Sequence, residues 1–206
     1  MFELITLEDV IRIPPALFDK PLEEAALEVL QQEYEGITDP EIGKIIEIVE
    51  VLSVGVGKLI PGDGAAYHPV QFTAMAFKPK VNEIVEGIIA EIVDFGAFIR
   101  VGPLDGLCHV SQIADDFFSY DSRKGILVGK TTGRIIRPGD FVRAKIVAVS
   151  LSQASKTGKF ALTMRHPYLG KLDWINEEIE RKYHPEKFEK KKQKKRATKK
   201  SKSKGG

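Results

Sequence analysis

Cys108 and His109 stand side by side, a thiol and an imidazole of the kinds that serve as nucleophile and base. Both fall in a strand-like run, and neighbours on a strand face opposite ways, so the two cannot share a proton. Four scattered His residues and a single Cys do not assemble a zinc site, and H-E-x-x-H, C-x-x-C, G-x-G-x-x-G and G-x-x-x-x-G-K are all absent. No metal or cofactor is expected, and the isolated chain reads as non-catalytic. Rings and cations offer different chemistry. Period two places Ala97, Ile99 and Val101 on one strand face and Phe98 with Arg100 on the other. The same rule turns Val142, Ala144 and Ile146 inward and Arg143 with Lys145 outward, while Arg165 ends the last apolar run. A wet face that pairs a ring with a guanidinium suits stacking of unpaired bases beside their phosphates. Plainer readings stand beside it: a Phe in a small barrel is more often core, His109 can cap a turn, and Arg143 and Lys145 are charges any outer strand face carries.

These residues need a scaffold, and the chain supplies two. Residues 1–13 alternate and end at Pro14 and Pro15, which suits a strand closed by residues that cannot donate ladder hydrogen bonds. Leu22, Ala25, Ala26, Val29 and Leu30 then form an i, i+3, i+4, i+7, i+8 stripe, with Pro21 at its start and Gly36 past its end. Candidate strands at 45–54 and 66–77 give that stripe a sheet to cover, and Gly55, Gly57, Gly62 and Gly64 punctuate their connection. Residues 1–80 thus read as an α+β domain whose long hairpin ends in a Gly-rich tip. After Pro79 come five short candidate strands, at 83–93, 97–101, 106–110, 140–150 and 159–164, which fit a small all-β barrel over 81–186. The irregular stretch 115–137 is long for a plain loop and is expected to hold a short helix or strand extension. Leu172, Ile175, Ile179 and Tyr183 predict a closing helix stopped by Pro185.

Composition bounds the partners. With 43% apolar residues the 206-residue chain fills real cores, and the lone Cys108 forbids an internal disulfide. No apolar run approaches the roughly 20 residues of a membrane helix, so a soluble, cytoplasmic protein with no membrane partner is expected. Residues 187–204 hold eleven Lys or Arg against Glu189 alone, which leaves 20 basic and 28 acidic residues in 1–186, a net of −8. The basic tail, 187–206, is expected to be disordered, with loose electrostatic contact to polyanions. An acidic body predicts weak, salt-sensitive nucleic-acid binding.

The run FGAFIRVGPLDGLCHVS at 95–111 and the closing ALTMR at 161–165 resemble the RNA-binding OB-fold domain first described in ribosomal protein S-one. That resemblance implies a base-stacking role for Phe95, Phe98 and His109 and a phosphate contact for Arg165. Phe95 fits the face pattern only if Gly96 makes a bulge. LEDVIRIPP at 7–15 and VEVLSVGVGKLIPGDGAAYHPVQFTAMAFKP at 49–79 are similar to the N-terminal domain of the larger stalk subunits of archaeal RNA polymerase and their eukaryotic nuclear counterparts. Together the two resemblances span about residues 1–180. They imply an α+β domain that packs on a smaller helical stalk subunit and wedges its tip into the RNA polymerase core, followed by an OB-fold barrel that meets emerging single-stranded RNA. Carried over by residue, the tip contact falls on Lys58, Leu59, Ile60, Gly62, Asp63 and Gly64. Large aliphatics beside a basic residue are poorly suited to a free loop, although a mere hairpin loop is the alternative. The main rival is an RNA-binding subunit of an RNA-processing complex such as the archaeal exosome; its frequent KH companion needs a G-x-x-G loop, and no two glycines here are three apart. A translation-initiation subunit usually places its OB domain first, and a barrel that binds only protein is a third alternative.

Overall fold

The computed structural model describes residues 1–151, 159–183 and 185; the expectations for the basic tail lie outside them. The first sheet is built from β1 (Phe2–Ile13), β2 (Thr38–Asp39), β3 (Gly43–Val54), β4 (Lys58–Leu59) and β5 (Ala66–Phe77), with α1 (Leu22–Tyr34) between β1 and β2. Strand order is β1-β5-β3-β2, all antiparallel, with β4 on the end of β5. The helix buries Ala25, Ala26, Val29 and Leu30 as the stripe predicts, but Leu22 in its first turn stays 39% exposed. Two alanines at the contact let α1 lie close to the sheet, where Phe72 and Ile11 are sealed and Phe72 meets the Tyr34 ring edge-on at 5.3 Å. Each fully buried Val or Leu contributes about 1.5–3 kcal/mol to this core. Gly36, at φ +83°, turns the chain out of the helix in a conformation that costs other residues strain.

The barrel contains β6 (Ile84–Val93), β7 (Gly96–Val101), β8 (Leu104–His109), β12 (Phe141–Ser150) and β13 (Lys159–Thr163). The ladder order β13-β8-β7-β6-β12 closes on itself through a β13–β12 pairing, which removes the exposed edges that invite aggregation. The expected inward set is buried: Ala97, Ile99, Val101, Val142, Ala144 and Ile146. Residues 115–137, expected to hold a short helix or strand extension, take the strand alternative. They contain no helix; they form a separate antiparallel sheet of β9 (Phe118–Asp121), β10 (Ile126–Gly129) and β11 (Ile135–Ile136), ordered β11-β10-β9. A short strand β14 (Gly170–Lys171) on β12 leads into α2 (Leu172–Tyr183). Of the stripe predicted for α2, Ile175 alone is buried, while Ile179 and Tyr183 are exposed. Trp174 takes their place as anchor, 5.0 Å from the Arg134 guanidinium, which also bonds Glu178 at 3.1 Å.

Contacts divide the chain into two compact units: Met1–Glu83 with Arg100–Leu107 and Ile146–Leu162, and Ile84–Ile99 with Cys108–Lys145 and the residues from Thr163 on. Within the first unit the β7–β8 turn is tied to the sheet end. A Cβ added to Gly102, at φ +60°, would stand 3.0 Å from the Phe77 ring and 3.2 Å from that of Phe2. No described helix is long and apolar enough to cross a membrane.

Candidate nucleic-acid face and docking tip

On β7 the pleat exposes what the sequence implies: Phe98 is half-buried and Arg100 exposed, with their neighbours sealed. Phe95 reaches solvent by another route. It occupies the tight turn between β6 and β7, so its 47% exposure comes from the turn and requires no bulge at Gly96. The Phe95 and Phe98 rings meet edge-on, centroids 6.3 Å apart. Gly96 permits the close approach of β7 to β8 there, since a Cβ would fall 2.3 Å from the Cys108 carbonyl oxygen. The next link is the Val110 N–H, which donates to the Phe95 carbonyl at 2.8 Å. His109 does cap a turn: its Nδ1 accepts from the Ser111 N–H at 3.3 Å and lies 2.9 Å from the Ser111 hydroxyl. That bond places the proton of the neutral ring on Nε2, and the residue is exposed.

Every candidate guanidinium holds a carboxylate. Arg100 donates to Asp105 at 3.0 Å, Arg143 to Glu86 at 2.7 and 2.9 Å, and Arg165 to Asp115 at 2.7 Å. All three pairs are solvent-exposed and therefore weak, so they exchange readily with another anion. Lys145 is half-buried, and its side chain makes no ion pair or hydrogen bond among the described residues. Arg143 and Lys145 stand on β12, with β6 between them and β7, about 10 Å away in ladder spacing. The structure therefore joins Phe95 with Phe98 and keeps Arg143 and Lys145 apart from them, beside the exposed cross-strand pair Ile88–Phe141.

The tip is more built than its glycines suggest. The Asp63 N–H donates to the Ile60 carbonyl at 3.0 Å around Pro61 and Gly62 (φ +91°), the residue pattern of a type II turn. Gly64 has ordinary φ and rests against Pro15. Asp63 faces its own scaffold: it accepts two bonds from Arg12 (2.7 and 2.9 Å), one from the Tyr67 hydroxyl (2.7 Å) and one from the Ala65 N–H (3.1 Å). The Arg12 bonds first, then that of Tyr67, hold the Asp63 carboxyl far below the usual carboxylate range. Arg12 and Tyr67 are cross-strand partners on β1 and β5, so the clasp bolts the loop to both strands. On it stand Leu59, 73% exposed, and Ile60, 49% exposed, next to exposed Lys58. Arg12 and Tyr67 were not singled out by sequence reasoning, because their link to Asp63 spans 51 and 4 residues with no motif.

Nucleophilic chemistry finds no support. Cys108 is sealed and His109 exposed, on opposite faces of β8, and burial pushes the thiol up to about 12. Among the described residues no cluster of His, Cys, Asp and Glu could hold a metal ion.

Residues 8–64 match the family model "SHS2 domain found in N terminus of Rpb7p/Rpc25p/MJ0397". Residues 78–155 match that of the S1 RNA binding domain. DNA-directed RNA polymerase subunit Rpo7 of Sulfolobus acidocaldarius is 41% identical over 179 residues, 87% of this chain and 97% of that protein. The Saccharolobus solfataricus subunit Rpo7 is 42% identical over 177 residues, 86% of this chain and 98% of that one. Subunit RPC8 of Saccharomyces cerevisiae DNA-directed RNA polymerase III is 38% identical over 91 residues, 44% of this chain and 43% of that one.

Proposed function

The chain belongs to the family of DNA-directed RNA polymerase subunit Rpo7, and from that premise we propose a two-ended, non-catalytic stalk subunit, at work in the cytoplasm, that docks by its tip and captures RNA on its barrel. The observation that carries this reading is the near-complete span of the Rpo7 relatives, with the SHS2 and S1 matches in that order along the chain. Catalysis resides in the polymerase. The RNA-processing alternative is not favoured, because the relatives matched from end to end are polymerase subunits.

Docking uses Lys58, Leu59 and Ile60 as the contact and Gly62, Asp63 and Gly64 as its frame. Two aliphatic side chains on a loop clasped at four acceptor positions suit insertion into a larger assembly, since little loop entropy remains to be lost. Leu4, Val10, Val49 and Leu52 on β1 and β3 are 46–66% exposed, an apolar surface suited to the smaller helical partner of the stalk. On the barrel, Phe95 and Phe98 stack bases, His109 offers an exposed Nε2–H, and Arg100, Arg143, Lys145 and Arg165 trade carboxylates for phosphates.

Two experiments test this reading. A tagged chain recovered from cells should bring polymerase subunits with it; exosome or ribosome components without polymerase would overturn the docking assignment. Phe98→Ala should weaken single-stranded RNA binding roughly 5- to 160-fold, and unchanged affinity would remove the stacking face.

A further inference from the structure

The cations of the barrel face are all arginines in carboxylate pairs apart from Lys145, yet the most exposed ring of the barrel segment stands elsewhere. Phe117 is 80% exposed and makes no ring contact among the described residues. Its carbonyl accepts from the Lys130 N–H at 2.8 Å, one rung beyond the Phe118↔Gly129 pair of β9 and β10. Cross-strand partners in such a rung project from the same side with their Cβ atoms about 5 Å apart. Lys130 is exposed and has no ion pair or hydrogen-bonded side chain among the described residues. Ring and ammonium are thus carried on facing positions of the two chain segments, the ring bare and the charge unspent.

The mount is rigid. Asp116 accepts from the Phe117 N–H at 2.7 Å, the Thr131 N–H at 3.0 Å, and the Thr132 N–H and hydroxyl at 2.9 and 2.5 Å. A Cβ at Gly129 would fall 2.4 Å from that carboxylate, so Gly129 makes room for it. Charge favours an anion as well. Residues 115–137 hold five basic and three acidic residues inside a body that is otherwise acidic. The location is continuous with the proposed face: Arg165 bonds Asp115, two residues before Phe117, and Gln112 accepts from the Met164 N–H and the Thr163 hydroxyl, which ties this segment to the end of β13.

We propose that Phe117 and Lys130 form a second single-stranded RNA subsite, a base stacked on the ring and a phosphate on the ammonium, which extends the β7–β8 face past Arg165. The subsite rests on the RNA-binding reading above. It should engage only strands long enough to run beyond Arg165, and it should be indifferent to base identity, because every base has a face to stack.

The test uses the full chain and oligouridylate probes of about 4 and about 16 nucleotides, the two ends of OB-fold site sizes. Phe117→Ala should weaken the long probe roughly 5- to 160-fold and leave the short one within about twofold. Phe117→Trp should restore the long-probe affinity. Lys130→Ala should flatten the dependence of log affinity on log salt by about 0.7, one phosphate contact on a single strand. Because both side chains are exposed, the variants should melt with the parent. Long-probe binding unchanged in both variants, while Phe98→Ala weakens it, overturns the subsite and leaves the RNA reading intact. Binding unchanged in all three, Phe98→Ala included, overturns both. Unchanged RNA binding with lost recovery of polymerase subunits by Phe117→Ala makes the ring a protein contact and likewise overturns the subsite.

Discussion

Gly96→Ala strikes the point where fold and proposed RNA face meet. The added methyl would lie 2.3 Å from the Cys108 carbonyl oxygen and 3.1 Å from both the Cys108 carbonyl carbon and the His109 Cα. All three neighbours are backbone, so no side chain can swing away; relief requires β7 and β8 to part by about 1 Å to reach ordinary contact. Overpacking of this kind costs roughly 1–3 kcal/mol. The Val110 N–H bond to the Phe95 carbonyl, 2.8 Å long beside the clash, stretches with it and adds about 0.5–1.5 kcal/mol. Together these give about 1.5–4.5 kcal/mol, or a fall in Tm of roughly 3–18 °C for a chain of this size. Calorimetry should show the loss in the transition that near-UV signals assign to the barrel. Phe95 and His109 flank the strained link, so single-stranded RNA binding should weaken in parallel, below the melting range. A variant with parental Tm and parental amide shifts across 95–110 would refute the close approach at Gly96 and the registration of the face that depends on it.

The clasp and the paired arginines yield three further expectations. Asp63→Asn keeps the shape of the acceptor but removes its charge, so amide exchange over residues 58–65 should quicken while barrel amides hold their protection. The Asp63 carboxyl is depressed by Arg12 and Tyr67 from an ordinary value of 3.8, so its contribution is fully present above that value and fades as pH falls beneath it. Tip protection should therefore survive to about pH 4 and fade only below, and loss between about pH 6 and 5 would contradict the clasp. Asp105→Asn frees Arg100 and should tighten RNA at low salt, steepening the salt slope by about 0.7, with the difference vanishing at high salt. Equal slopes for parent and variant would mean that Arg100 meets no phosphate.

Local periodicity carried the parts of the fold that were legible. The inward sets of β7 and β12 and the stripe of α1 follow from side-chain spacing along one element, so a single strand or helix is enough to read them. Residues 115–137 defeat that approach because β9, β10 and β11 are two to four residues long, too short for alternation to emerge from the intervening Gly, Asp and Thr. Strand alternation leaves the placement of Phe95 conditional on a bulge at Gly96, whereas a turn exposes it: both release a ring from the pleat, and only the backbone distinguishes them. On α2, four apolar residues at helical spacing suggested a buried stripe, whereas the helix is anchored through Trp174 on Arg134, a contact 40 residues distant in sequence. The ion pairs of the candidate face are equally non-local. Arg143 finds Glu86 and Arg165 finds Asp115 across 57 and 50 residues, so no window of sequence reveals that these cations are already partnered.

That partnering bears on how, under the proposed function, one subunit would hold a machine firmly and a transcript loosely. At the tip, Asp63 has its acceptor positions filled from within, which leaves Leu59 and Ile60 on a frame with little freedom to lose; under the proposed function, the surplus of burial over ordering cost on docking there appears as affinity. Under the proposed function the barrel works in the opposite regime. An arginine that exchanges an exposed carboxylate for a phosphate ends with one ion pair where it began with one, and the released carboxylate of Asp105, Glu86 or Asp115 remains nearby as a like charge to the incoming backbone. The net electrostatic gain per contact is therefore small, and stacking on Phe95 and Phe98 supplies the larger share. A strand held chiefly by rings, with phosphates bound at sites where carboxylates compete to displace them, releases as easily as it binds, and that is the condition for following RNA as it moves.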